Sequence, residues 1–298
     1  MTPVFVHSPY YETDIGPHVF PVGKYRRVRN MLEASGHGPG AFVLPDDGDP
    51  AVCGLVHEAR YLDDFRACRS TPAVRSSELP ITPEVVRWFE TAVFGTITAT
   101  RLALDRGAAF HIGGGFHHAF ADHAEGFCYL NDVAVAARHA LDAGTASRVS
   151  VVDLDVHQGN GTARIFQGDD RVFTFSMHQE NNYPLKQVSD LDDGLPDGIE
   201  DEEYLARLER GLGAAVEERK PDIVYYVAGA DPYFDDQLGG LCLTLDGLRK
   251  RDRAVFRICR EVDARVVVVL AGGYARDEQN TARIHVQTAE EVLAVWPV

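Results

Sequence analysis

Four uninterrupted runs rich in β-branched residues restrict this chain more than any other feature: 149–154 (VSVVDL), 172–176 (VFTFS), 223–228 (IVYYVA) and 266–271 (VVVVLA). None shows apolar/polar alternation, so each suits a strand covered on both faces, as parallel strands beneath helices are. The spacing predicts helices between them, over 132–141, 201–219 and 245–262, and a longer one over Pro83–Arg106 with Pro83 in its first turn. Strand–helix–strand alternation implies right-handed crossovers and an α/β fold, a parallel sheet flanked by helices. A chain of 298 residues has room for two domains, but α/β folds of this size are often single, and one domain over 1–298 is expected. The segment 177–200, rich in Asn, Asp, Gly and Pro, reads as a long functional loop.

The net charge is −16. A field of that sign repels phosphate backbones and anionic lipid, so neither nucleic acid nor membrane is an expected partner, and it attracts cationic substrates. The five cysteines are scattered and form no CxxC pair, which argues against a disulfide framework or a thiolate metal site. No apolar run could span a bilayer, and the first residues lack the pattern of a signal peptide. A cytoplasmic location is expected.

Polar and glycine-rich clusters follow the apolar runs: His117 and His118 after 108–112, Asp155 and His157 after 149–154, Asp231 after 223–228, and Tyr274 after 266–271. In open parallel sheets ligands bind outside the carboxyl ends of the strands, so these clusters are expected on one rim. Alternate residues of an extended segment point the same way, which groups Asp153, Asp155 and His157. Aspartate and histidine suit zinc, iron(II) or cobalt(II). Taken alone, the same residues would also serve as capping aspartates beside a surface histidine. Adding Asp231 gives three ligands and leaves a position open for water, the pattern of a catalytic zinc site. Histidine can deprotonate water and protonate a leaving amine near neutral pH. Tyr274, after two glycines, could donate to an oxyanion.

With these residues assembled, the chain resembles the histone deacetylase superfamily from about His18 to its end. The motifs are 113–118 (GGGFHH), 126–132 (GFCYLND), 152–161 (VDLDVHQGNG), 175–178 (FSMH), 229–232 (GADP) with Leu238-Gly239, and 271–274 (AGGY). The variant His157-Gln158-Gly159-Asn160-Gly161 and the segment 20–32 look most like the class IV, bacterial-type branch. The resemblance implies the arginase–deacetylase fold in a single domain. It implies zinc, with iron(II) as the alternative, on Asp155, His157 and Asp231. It makes His118 the general base and acid, His117 its electrostatic partner, Asp153 the residue bound to His117 and Asn160 the residue bound to His118. Many relatives carry aspartate where Asn160 stands.

The resemblance further implies Tyr274 as the carbonyl-polarising tyrosine, and an acyl-lysine tunnel walled by Gly126, Phe127, Tyr183 and Gly273. A structural potassium ion is implied on Asp153, Asp155, His157, Ser176 and Met177. Lys24 is expected near the inner foot of the pocket. Arginase-like enzymes need further aspartates for a second metal; here His157 is followed by Gln-Gly, so one metal is expected. The expected activity is removal of acetyl or longer acyl groups from lysine side chains. Hydrolysis of small acetylated amines such as acetylpolyamines is the rival, and a non-catalytic binding module on the same fold is the rival of another class. The segments 177–200 and 233–236 (YFDD) are expected to shape substrate choice.

Overall fold

Each β-branched run is a strand in the computed structural model, which describes residues 5–296. The strands in chain order are β1 (Phe5–Val6), β2 (Phe42–Val43), β3 (Ala108–His111), β4 (Val149–Asp153), β5 (Val172–Gln179), β6 (Leu191–Leu195), β7 (Ile223–Val227) and β8 (Arg265–Val269). They form one sheet in the order β2-β1-β3-β8-β7-β4-β5-β6, with every pair parallel. The helices are α1 (Lys24–Ala34), α2 (Ala59–Arg66), α3 (Pro72–Arg75), α4 (Pro83–Arg106), α5 (Asp132–Asp142), α6 (Asn160–Phe166), α7 (Asp201–Leu212), α8 (Leu245–Glu261) and α9 (Glu278–Val295).

Side-chain alternation explains why the central runs are apolar at nearly every position. Val149, Val151, Tyr225, Val227, Val267 and Val269 enter a core that also holds Val133 and Ala137 of α5. Their neighbours Val152, Val224, Tyr226, Val266 and Val268 enter a second core with Val255 of α8 and Val292 of α9. A strand with a polar face could not serve both layers. Local signals set the helix ends: Thr82 Oγ1 accepts from Val85 N (3.3 Å) at the start of α4, where Pro83 needs no donor partner. The strand ends are level, with Asp153 opposite Ser176 on one side and Val227 on the other, so the residues after them share a rim.

One expectation changes, and two strands were not foreseen. The segment 177–200 is not all loop: β5 runs on to Gln179, and β6 adds an edge strand from Leu191↔Phe175 to Leu195↔Gln179. An edge strand tolerates charge and needs no apolar run, which is why Asp192 and Asp193 hid it. The first strands, β1 and β2, are two residues each and carry too little pattern to be seen. No helix among the described residues is long and apolar enough to cross a membrane.

The scaffold makes stability depend on pH through buried histidines. His57 Nδ1 lies 2.9 Å from the Phe120 carbonyl, and its Nε2 accepts from Asn131 N at 3.0 Å, so the ring is held neutral. Burial lowers its pKa from 6.5 to about 4, against the raising effect of the Phe120 and Ala121 backbone. The unfolded chain therefore binds a proton that the fold excludes. The contribution of His57, on the order of 3 kcal/mol, is present above about pH 6.5 and lost as pH falls toward 4. Denaturant unfolding at pH 7 and pH 5 is expected to differ less in His57→Leu than in the parent chain; equal differences contradict the assignment.

Candidate active site and metal centre

The glycine loop after β3 brings two histidines to the rim. Gly114 and Gly115 have φ of +67° and +81°, a region favouring glycine. A methyl on Gly114 would also lie 2.3 Å from Asp132 Oδ2. Asp132, buried at the start of α5, holds this loop by accepting from Gly115 N (3.1 Å) and Phe116 N (2.8 Å). Its neighbour Asn131 caps α5 through Ala134 N (2.9 Å) and donates to the His117 carbonyl (3.3 Å). The end of the GFCYLND motif is thus a brace for the histidine pair, a role the sequence pattern does not announce. The two rings stand 4.1 Å apart between centroids. His117 Nδ1 lies 2.7 Å from Asp153 Oδ2, and His118 Nδ1 lies 2.8 Å from Asn160 Oδ1.

Asp155, His157 and Asp231 are buried, and each offers one ligand atom within 4.8 Å of the others. Their outer oxygens are already engaged: Asp155 Oδ2 accepts from Gly272 N (2.7 Å), and Asp231 Oδ1 accepts from Val156 N (2.9 Å). Asp231 Oδ2 is buried with no hydrogen-bond partner. An orphaned carboxylate oxygen is costly unless a cation completes it, and two carboxylates with one imidazole are a donor set suited to a borderline divalent ion. The residues fit a metal. Behind them Arg251, fully buried, donates to the Gly229 carbonyl at 2.6 Å and to the Leu154 carbonyl at 3.4 Å. It thereby ties together the two loops that carry the ligands.

Electrostatics divide the group. Burial pulls His157 down, but its contact with Asp155 at 3.1 Å and the Asp155 and Asp231 charges, with Asp231 Oδ2 3.4 Å from Nδ1, raise it to about 10. The protonated ring balances the carboxylates, and an entering ion displaces that proton. Burial pushes Asp231 up, as does the Asp155 charge, to about 7. Burial likewise pulls His117 down, and the Asp153 and Asp155 carboxylates outweigh it, raising the ring to about 9. His118 goes the other way: burial and then the His117 and His157 charges push it well below its ordinary value. A pair whose environments drive its members apart divides the work: His118 can accept a proton while His117 stays charged.

A cavity of about 220 Å³ opens onto these groups, lined in part by His118, Gly126, Phe127, His157, Tyr183 and Tyr274. Tyr274 is held by its backbone, its amide donating to Asp236 Oδ2 at 2.6 Å; Asp236 of the YFDD segment is therefore buried structure. Gly273 (φ +144°) supplies the backbone conformation just before it. Lys24 lies buried beneath the site with Nζ on the Ala271 carbonyl. Burial lowers its pKa to about 8 against the pull of Asp231, Asp155 and Asp236. Ser176 and Met177 are buried on β5, beside the end of β4. Of the residues expected at the site, these two, Asp153, Asn160, Asp231 and Gly273 are not among those lining the cavity. Sequence reasoning missed Glu125, which contacts Asn160 and Tyr183.

Comparison with known proteins gives the family and the fold. The histone deacetylase domain family matches residues 18–290. An uncharacterized protein of Picosynechococcus sp. is 44% identical over 278 residues, covering 92% of this chain and 93% of that one. Histone deacetylase 2 of Arabidopsis thaliana is 32% identical over 287 residues, covering 92% of this chain and 73% of its own length. The crystal structure of acetylpolyamine aminohydrolase from Burkholderia pseudomallei superposes with a TM-score of 0.81 over 99% of each chain, at 22% identity, which speaks for the fold. The chain belongs to the histone deacetylase family and has its arginase–deacetylase fold.

Proposed function

We propose that this chain is a zinc-dependent amidohydrolase that removes acetyl or longer acyl groups from lysine side chains, acting as a single catalytic domain. The observation that carries the reading is the buried Asp155–His157–Asp231 group with its orphaned oxygen, facing a cavity that His118 and Tyr274 also line. A zinc ion held by these three residues would act as a Lewis acid on the amide carbonyl and lower the pKa of water from about 15.7 toward about 7. His118 takes the proton of the attacking water at Nε2, its Nδ1 being engaged by Asn160. His117, held on Asp153, keeps its charge beside the reacting centre. The Tyr274 hydroxyl donates to the oxyanion. As the C–N bond breaks, His118 returns its proton to the departing amine, leaving a carboxylate and a free amine.

Phe127 and Tyr183, with Gly126, would grip the aliphatic stem of the substrate. The potassium ion implied by the family pattern would sit on Asp153, Ser176 and the carbonyls of Asp155, His157 and Met177, with iron(II) as the alternative to zinc at the catalytic site. A small acetylated amine is the second reading. The net charge of −16 and Glu78 at the cavity favour a cationic substrate of that kind. Hydrolysis rates of one preparation on acetyl-lysine peptide, myristoyl-lysine peptide and acetylated polyamine decide between them. An acyl-lysine peptide is expected to be fastest; a faster acetylpolyamine reverses the order. A chain that neither hydrolyses any of them nor binds a hydroxamate is the silent binding module.

A further inference from the structure

Glu125 has no part in the chemistry described so far, yet three polar side chains converge on it. Asn160 Nδ2 donates to its Oε1 at 2.8 Å, and the Tyr183 hydroxyl donates to the same oxygen at 3.1 Å. His123 Nε2 faces the other oxygen at 3.6 Å. The backbone beneath is pinned by reciprocal bonds with Cys128, Glu125 N to Cys128 O at 3.1 Å and Cys128 N to Glu125 O at 2.8 Å. Burial would raise the Glu125 carboxyl, but the nearby His123 and the bonds from Asn160 and Tyr183 turn the shift downward, so it is ionised at neutral pH.

An ionised carboxylate only accepts, whereas an asparagine amide has one accepting and one donating end. Glu125 therefore takes the donating end of Asn160 and leaves Oδ1 for His118 Nδ1, 2.8 Å away. That nitrogen must then carry the ring proton, which leaves Nε2 bare. With the amide reversed, its NH₂ would face Nδ1, and the proton would move to Nε2, where the ring could accept nothing. We infer that Glu125 is a positioning residue that, through Asn160, fixes His118 in the tautomer with a free Nε2. The inference rests on the reading of His118 as the base.

Zinc-loaded protein labelled with ¹⁵N at histidine tests this, because long-range ¹H–¹⁵N spectra report which ring nitrogen is protonated. His118 is expected as Nδ1–H in the parent chain and to shift toward Nε2–H in Glu125→Ala. The kcat of that variant on an acetyl-lysine peptide should fall at least about tenfold, within the roughly 10⁴-fold that a wrong tautomer costs a histidine base. Adding Asn160→Asp to Glu125→Ala supplies a carboxylate that accepts in either orientation, and should restore the tautomer and about tenfold in rate. Asn160→Asp alone sets two carboxylates against each other and should be slower than the double variant. Glu125→Leu, which also lacks an acceptor but fills more of the space, repeats the spectral test if the alanine variant does not fold. A parent-like His118 tautomer in Glu125→Ala or Glu125→Leu, or a double variant no faster than Glu125→Ala, overturns the inference. A tautomer that shifts as expected in a parent chain that hydrolyses no amide supports the positioning role and removes the hydrolase reading instead.

Discussion

Replacing His118 with alanine is expected to lower kcat by roughly 10²–10⁴, the range attributed to a well-placed general acid–base. Burial and the neighbouring His117 and His157 charges keep this ring neutral, so it can take the proton of the attacking water. His117 cannot substitute, because the Asp153 and Asp155 carboxylates keep it protonated to about pH 9. Loss of the Asn160 bond should reduce stability by about 1 kcal/mol, which leaves the chain folded. Circular dichroism and metal content should match the parent, while single-turnover rates on an acyl-lysine peptide collapse. A His118→Ala variant within about threefold of the parent rate would assign the proton transfers elsewhere.

Asp231→Asn is expected to remove the metal and with it the activity. Residues outside the first ligand layer typically tune metal affinity by about 10–100-fold, and a direct ligand should exceed that. The effect on the metal-free fold has the opposite sign. Asp231 Oδ2 is buried without a partner, and burial and the Asp155 charge already push the carboxyl up to about 7. A neutral amide relieves that repulsion, so metal-free Asp231→Asn should unfold at a temperature equal to or above metal-free parent protein. Zinc should then raise the melting temperature of the parent, since an ion that binds only the folded state stabilises it by mass action, and leave the variant unmoved. Equal zinc shifts in the two proteins would remove Asp231 from the ligand set.

How much of this was readable in the sequence depends on how local each signal is. The central strands were plain because both faces are buried, so Val149, Val151 and Val152 are all apolar. The edge strands escaped: β1 and β2 are too short to show a period, and β6 carries Asp192 and Asp193 in mid-strand. The DxDxH pattern and the aspartate after β7 were readable because strand ends set their direction. Glu125 was not, since a lone glutamate before Gly-Phe has no pattern and acquires meaning only from Asn160, 35 positions away. Arg251 was hidden for the same reason, its bond to the Gly229 carbonyl spanning 22 positions inside an amphipathic helix. Asn131 and Asp132 stood inside a recognised motif, yet their work as braces shows only in the backbone amides they hold.

The most direct test of the account is reconstitution. Metal-free parent protein and Asp231→Asn are titrated with zinc, following bound metal and hydrolysis of an acyl-lysine peptide in the same samples. The expected result is activity that rises in proportion to bound zinc and saturates near one equivalent in the parent, with neither binding nor activity in the variant. Full hydrolysis by metal-free parent protein, or equal activation of the variant, would contradict a metal centre on Asp155, His157 and Asp231.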